Sequence, residues 1–335
     1  MNKLANLLLI LTIQIISQLP SMTRGQLIEL PDSPGCDPTP DSPWICHGKV
    51  YKSKSDYNGD GRTDFTVWRP STGYWHIRYS SGTTLERQYG APNTDRPVIG
   101  DFDGDKKDDI AVWRPSTGQW FHVRSSDGRS IGPVWGVSTD IPVPGDYNRD
   151  GKTDLAVWRP STAEWLLRIT SNNSTYTYTY TFGIPNVDVP VPADYDGDGK
   201  TDLAVWHPST GEWSYQSSTY GGTTTVTWGL PSDVPVPGDY NGDYLTDIAV
   251  WRPSTGQWLI KNSNSTSTTT ISYGAPTDIP VPGDYDGDDK TDIAVWRPST
   301  GQWFHIRSSD GRKIGPVWGV STDIPVPSVY LNRPQ

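Results

Sequence analysis

The chain has 335 residues and a formal charge of −10, a sign that disfavours nucleic acid as a partner. Its 30 Pro and 33 Gly fall short of the proportion found in disordered low-complexity chains. Sixteen Trp and 17 Tyr against 5 Phe point to a core built mainly from amphipathic rings.

In chain order, Lys3 and the apolar run Leu4–Ile16 read as a secretory signal over residues 1–21. The run is too short to span a bilayer, although an uncleaved anchor is the alternative. A Pro-rich segment follows over residues 22–47, and its two cysteines, Cys36 and Cys46, are expected to form a local disulfide outside the cell. From residue 48 to 330 the sequence repeats itself, and residues 331–335 form a tail.

The repeat announces itself in a nine-residue acidic loop that begins at Asp56, Asp101, Asp146, Asp194, Asp239 and Asp284, at intervals of 45, 45, 48, 45 and 45 residues. Self-similarity at such a period marks an array of like units. The unit over Thr277–Val320 is representative. Ile279 and Val281 alternate with Pro280 and Pro282, which confines that strand to a sheet edge, since proline donates no ladder hydrogen bond. After the loop, Ile293–Trp296 reads as a strand buried on both faces. Arg297–Gln302 then makes a tight hairpin, with Pro298 opening the turn and Gly301 in the left-handed position. That register sets Arg297 opposite Gln302 and Trp296 opposite Trp303. A third strand runs from Trp303 to Arg307 and a fourth from Lys313 to Gly319. Four strands per unit without helical periodicity predict an all-β propeller of four-stranded blades, six by preference and seven as the alternative. Near the C-terminus, Asp323–Tyr330 resembles one more inner strand, but Ser328-Val329-Tyr330 stands where a loop would start. That strand either closes the ring or pairs with another molecule.

Carboxylates at loop positions 1, 3, 5 and 9 repel one another unless a cation sits among them. The candidate ligands are Asp56, Asn58, Asp60 and Asp64; Asp101, Asp103, Asp105 and Asp109; Asp146, Asn148, Asp150 and Asp154; Asp194, Asp196, Asp198 and Asp202; Asp239, Asn241, Asp243 and Asp247; and Asp284, Asp286, Asp288 and Asp292. A backbone carbonyl at position 7 and water would complete an oxygen shell suited to calcium, with up to six ions per chain. Six such ions would nearly cancel the negative charge. An EF-hand is excluded, because position 12 is Val67, Val112, Val157, Val205, Val250 or Val295 where the bidentate Glu would be required. Magnesium suits all-protein cages less well. Loops one, three and five carry Asn at position 3 and one charge fewer.

The loop, the D-[LI]-A-V strand after it and the period together resemble the FG-GAP/VCBS family of repeats over residues 50–327. The resemblance implies calcium in the loop between the first and second strands of each blade. It also implies recognition of glycans or of extracellular proteins, as in integrin α headpieces and secreted propeller lectins. The W-R-P-S-T-G-x-W hairpin is the candidate ligand surface: Trp68, Arg69 and Trp75; Trp113, Arg114 and Trp120; Trp158, Arg159 and Trp165; Trp206, His207 and Trp213; Trp251, Arg252 and Trp258; Trp296, Arg297 and Trp303. Burial of these tryptophans between blades, with the arginine stacked on them, is the competing expectation. No nucleophile or zinc-hydrolase motif is present, and His122 and His305 are copies of one position. The sequence therefore favours a secreted binding module, lectin-like or adhesive, over a self-assembling structural protein or a propeller hydrolase or lyase.

Overall fold

The structure is a computed structural model, and it describes residues 55–328 except 172, 173 and 220. The expected signal segment, the Cys36–Cys46 bridge, Val329, Tyr330 and the tail lie outside the described residues. Six antiparallel sheets of four strands form a six-bladed β-propeller. Among the described residues there is no α-helix, only a 3-10 turn at Val326–Ser328.

Blade six consists of Ile279–Pro280, Ile293–Arg297, Gln302–Ile306 and Lys313–Ile314, in that spatial order. Its hairpin has the expected register, Trp296 opposite Trp303 and Arg297 opposite Gln302. Gly301 sits at φ 66° and donates its N–H to the Arg297 carbonyl at 2.9 Å. Two strands are shorter than expected. The inner one is confined to two residues because prolines alternate along it, although the Val281 N–H still reaches the Ala294 carbonyl at 2.8 Å. The outer one stops at Ile314, where Gly315-Pro316 interrupts the ladder before an isolated bridge at Val317.

Blade one shows how the ring closes. Its inner strand is the C-terminal Ile324–Pro325, which pairs with Phe65–Arg69 so that Ile324 faces Trp68 and Pro325 faces Val67. Of the two roles the sequence gives this strand, it takes ring closure, and self-association through it loses its donor. Six hydrophobic clusters lie between successive blades, each joining one blade's tryptophan pair to the first residues of the next. At the closing seam Val67 packs with Trp296 and Trp303 of blade six. A Cβ on Gly319 would stand 3.1 Å from Val67 Cγ1, and the residue sits at φ 95°, so only glycine fits there. The valine at position 12, which excluded an EF-hand, is thus the inter-blade packing residue.

Candidate metal centre

Each acidic loop folds around its first aspartate. In loop one, Asp56 Oδ1 accepts the Gly59 N–H at 2.7 Å and Oδ2 accepts the Gly61 N–H at 2.7 Å. The ninth residue, Asp64, accepts the Tyr57 N–H at 2.9 Å from the loop's own start. It also accepts the Ser80 N–H at 3.3 Å from the end of the third strand, whose hydroxyl bonds Asp60. Where position 4 or 6 is not glycine the loop keeps its shape. Arg149 at φ 63°, Lys106 at 69°, Tyr244 at 67° and Asp289 at 68° all adopt the left-handed conformation, at a cost of roughly 1 kcal/mol each.

The loops are linked into a circle. The position-8 N–H of each donates to the position-1 carbonyl of the loop before it, for example Thr153 to Asp101 and Thr201 to Asp146, both at 2.7 Å. Thr63 to Asp284 at 2.6 Å completes the circle across the seam. Each centre is thereby held by two blades, not one.

Burial makes some of these carboxylates reluctant to ionise. It pushes Asp64 and Asp154 up to about 8, and Asp109, Asp202 and Asp292 up to about 7, with neighbouring aspartates adding to the rise against opposing hydrogen bonds. Asp56, Asp101, Asp146 and Asp247 are raised for the same leading reason. Asp103 goes the other way: burial raises it, but bonds from Ser126 and Arg124 outweigh that and hold it below the usual range.

In loops two, four and six, carboxylate oxygens from positions 1, 3 and 9 lie within 4.8 Å of one another: Asp101, Asp103 and Asp109; Asp194, Asp196 and Asp202; Asp284, Asp286 and Asp292. The Asp286 side chain is 2% exposed and its Oδ1 has no hydrogen-bond partner. A buried carboxylate oxygen without a hydrogen-bond partner, on a residue of such a cluster, fits a hard cation such as calcium, and so does the all-oxygen donor set. The position-5 residues Asp60, Asp105, Asp150, Asp198, Asp243 and Asp288 stand outside these three clusters. Asp105 and Asp198 are held by the hydroxyls of Ser125 and Ser218 at 2.8 and 2.6 Å. These serines after the third strand escaped the sequence reading, although Ser recurs there in blades one, two, four, five and six.

The hairpin residues lie elsewhere, in the packing between blades. All twelve repeat tryptophans are at most 3% exposed. The second of each pair donates its indole N–H to a backbone carbonyl, as Trp75 does to Tyr89 at 3.0 Å and Trp213 to Trp228 at 2.9 Å. With both faces covered, none can stack on a sugar ring in this fold. The arginines are engaged as well. Arg297 forks onto Asp278, with Nε and Nη2 at 2.8 and 2.9 Å from its two oxygens. Arg114 pairs with Asp95, Arg159 with Asp140 and Arg252 with Asp233 in the same way. In blade four, His207 replaces the fork with one contact, Nδ1 to Asp188 Oδ1 at 2.7 Å. Arg69 takes Asp323, 254 residues away, and locks the seam. These aspartates were not singled out from the sequence, yet one precedes every inner strand.

The FG-GAP-like repeat family matches residues 56–112, 101–157, 146–205 and 239–295. No curated protein sequence matches the chain. Among solved structures, a streptogramin B lyase superposes with a TM-score of 0.50 at 10% identity, over 77% of this chain and 84% of that one. A chain of a nidogen/laminin complex does so with a TM-score of 0.50 at 9% identity, over 75% of this chain and 91% of that one. At such identities the likeness is one of fold. The repeat matches cover more than half of the sequence and coincide with the acidic loops, and the chain belongs to the FG-GAP-like repeat family.

Proposed function

We propose that this protein is a secreted, calcium-loaded β-propeller that acts as a recognition module, with glycans as its preferred class of ligand. The acidic loops carry the calcium part. Buried carboxylates cluster at equivalent places round the ring, and Asp286 Oδ1 is left without a partner inside one cluster. Secretion rests on the Lys3 and Leu4–Ile16 pattern and on the cysteine pair.

Recognition is assigned to the outer strands and not to the hairpin tryptophans, which are enclosed. The strand Ser174–Thr181 presents Tyr176, Tyr178 and Tyr180 at 51%, 43% and 44% exposure, with the last two rings 6.4 Å apart. A row of exposed aromatic rings on one face of a strand suits polyhydroxylated ligands. The nidogen/laminin structure shows the same fold inside a protein complex, so extracellular proteins are the second class of partner.

A glycan array probed with the protein in millimolar-range calcium and again in chelator tests this reading. Binding that needs calcium and is lost in Tyr178→Ala supports it. A silent array from folded, calcium-loaded protein removes the glycan part and turns the search to protein partners.

A further inference from the structure

The blades alternate. Position 3 of the loop is Asn in blades one, three and five (Asn58, Asn148, Asn241) and Asp in blades two, four and six (Asp103, Asp196, Asp286). The aromatic that closes each outer strand alternates in step: Tyr89, Phe182 and Tyr273 in odd blades, Trp135, Trp228 and Trp318 in even ones. Each of those tryptophans donates its indole N–H across the seam to the following odd blade. The acceptors are the carbonyls of Leu166 at 2.9 Å, Leu259 at 3.0 Å and His76 at 3.1 Å. This bond thus recurs at every second seam of the ring.

The loops of the two kinds neutralise themselves differently. In odd loops the Asn amide donates to the position-5 carboxylate: Asn58 to Asp60 and Asn148 to Asp150 at 3.1 Å, Asn241 to Asp243 at 3.2 Å. Asn241 also reaches Asp247 at 3.3 Å. These loops bring their own donor and one fewer negative charge. Even loops have a carboxylate where that donor would be, and there positions 1, 3 and 9 form a three-carboxylate cluster within 4.8 Å; in blades two and six an arginine outside the loop, Arg124 or Arg307, lies 3.3 Å from one oxygen of Asp103 or Asp286. In one of them Asp286 Oδ1, on a side chain 2% exposed, has no partner.

Resting on the calcium reading above, we infer that the six loops form two alternating classes, and that calcium fills the loops of blades two, four and six before those of blades one, three and five. Affinity in such sites follows the number of charged ligands, and an ion entering an odd loop must also turn an amide out of the position-5 carboxylate. The even set should bind roughly tenfold tighter or more.

The test is calorimetric titration of the calcium-stripped full chain with calcium chloride, with ions counted by native mass spectrometry. Two steps of three ions each, separated by roughly tenfold or more in Kd, are expected. Combined Asp103→Asn, Asp196→Asn and Asp286→Asn should merge the tight step into the weak one. The reverse set, Asn58→Asp, Asn148→Asp and Asn241→Asp, should bring six ions into the tight step. It removes no carboxylate, so it serves if the first set fails to fold. Six ions in one step from the natural chain, or a tight step of three that survives the aspartate-to-asparagine set, would overturn the alternation while leaving calcium binding intact. No ion bound at all would overturn both.

Discussion

In the inner half of blade six, Trp296 and Trp303 are at most 1% exposed, and Asp284, Asp286 and Asp292 share one cluster. In the outer half of blade three, Tyr176, Tyr178 and Tyr180 stand open on a strand whose eight residues are all exposed. Much of the inner half repeats almost letter for letter because its buried positions touch the next blade. The valine meets a tryptophan pair, the position-8 N–H meets a carbonyl, and the glycine near the seam leaves room for the valine. A change in one copy must be absorbed by its neighbour. The outer strands meet mostly solvent, so they range from two residues in blade six to eight in blade three.

The largest way to break this contrast is to remove calcium. Each loop held at a hundredfold excess of ion over its Kd adds about 2.7 kcal/mol of stability, so several loops together outweigh any single substitution. Thermal melts in calcium and in chelator should differ by far more than a point mutant does. An unchanged melting temperature would mean that the loops stand without ions. The pH dependence sharpens the same test. In calcium-free protein Asp64 and Asp154 are pushed up to about 8, and Asp109, Asp202 and Asp292 to about 7, above their unfolded values. The folded state then holds more protons than the unfolded one, so these groups stabilise it at about pH 4 and below. That contribution is lost as pH rises through roughly 7 to 8. Calcium needs the ionised form. The gap between melts in calcium and in chelator should therefore widen from pH 5 to pH 8; a constant gap would sink the assignment of these aspartates as ligands.

Next in size is the seam. Asp323 is fully buried and Arg69 forks onto it, so Arg69→Ala strands a buried carboxylate at a cost of about 3 kcal/mol. Arg297→Ala strands Asp278 in the same way, but between residues close in sequence. Hydrogen exchange should separate the two. Arg69→Ala is expected to expose the Ile324–Pro325 strand and blade one first, whereas Arg297→Ala loosens blade six. Equal, uniform exchange in both variants would show that the closing pair is no different from the others.

A smaller effect sits at the loop turns. Arg149 pays for a left-handed backbone with a side chain that glycine lacks. Arg149→Gly should raise stability by about 0.5 kcal/mol in chemical denaturation, because the strain relieved slightly exceeds the entropy glycine brings. A loss of that size would instead mean that the arginine makes contacts worth more than the strain.

The same contrast governs how much could be read from the sequence. The loop, the buried strand Ile293–Arg297 and the hairpin register were legible because burial and turn geometry leave few residue types that fit. The Arg297–Asp278 fork was not, although Asp precedes every inner strand. Its partner lies 19 residues back, just ahead of a proline-rich inner strand, and an Arg beside a Trp reads equally well as a stacked or an exposed group. Ring closure by Ile324–Pro325 was left open for a related reason. A two-residue strand has the same letters whether it pairs at home or abroad, and only the geometry of Val67, Trp68 and Arg69 decides. The outer strands were least legible of all, since exposed positions accept almost any polar or β-branched residue.

The smallest expected effect therefore belongs to the outer strand. Tyr178 lies opposite Leu167 at the free edge of blade three, with its ring against Tyr180 and water. Replacing it with threonine keeps β-propensity and removes only a half-exposed ring, so denaturation midpoints should shift by no more than about 0.5 kcal/mol. Glycan binding, if these tyrosines provide it, should fall severalfold in the same variant. A stability loss of about 2 kcal/mol would mean that the tyrosine row covers the core and is not a recognition edge. Binding lost without stability is the outcome that a ring-shaped scaffold with a variable rim requires, because it places the ligand where the repeat is least constrained.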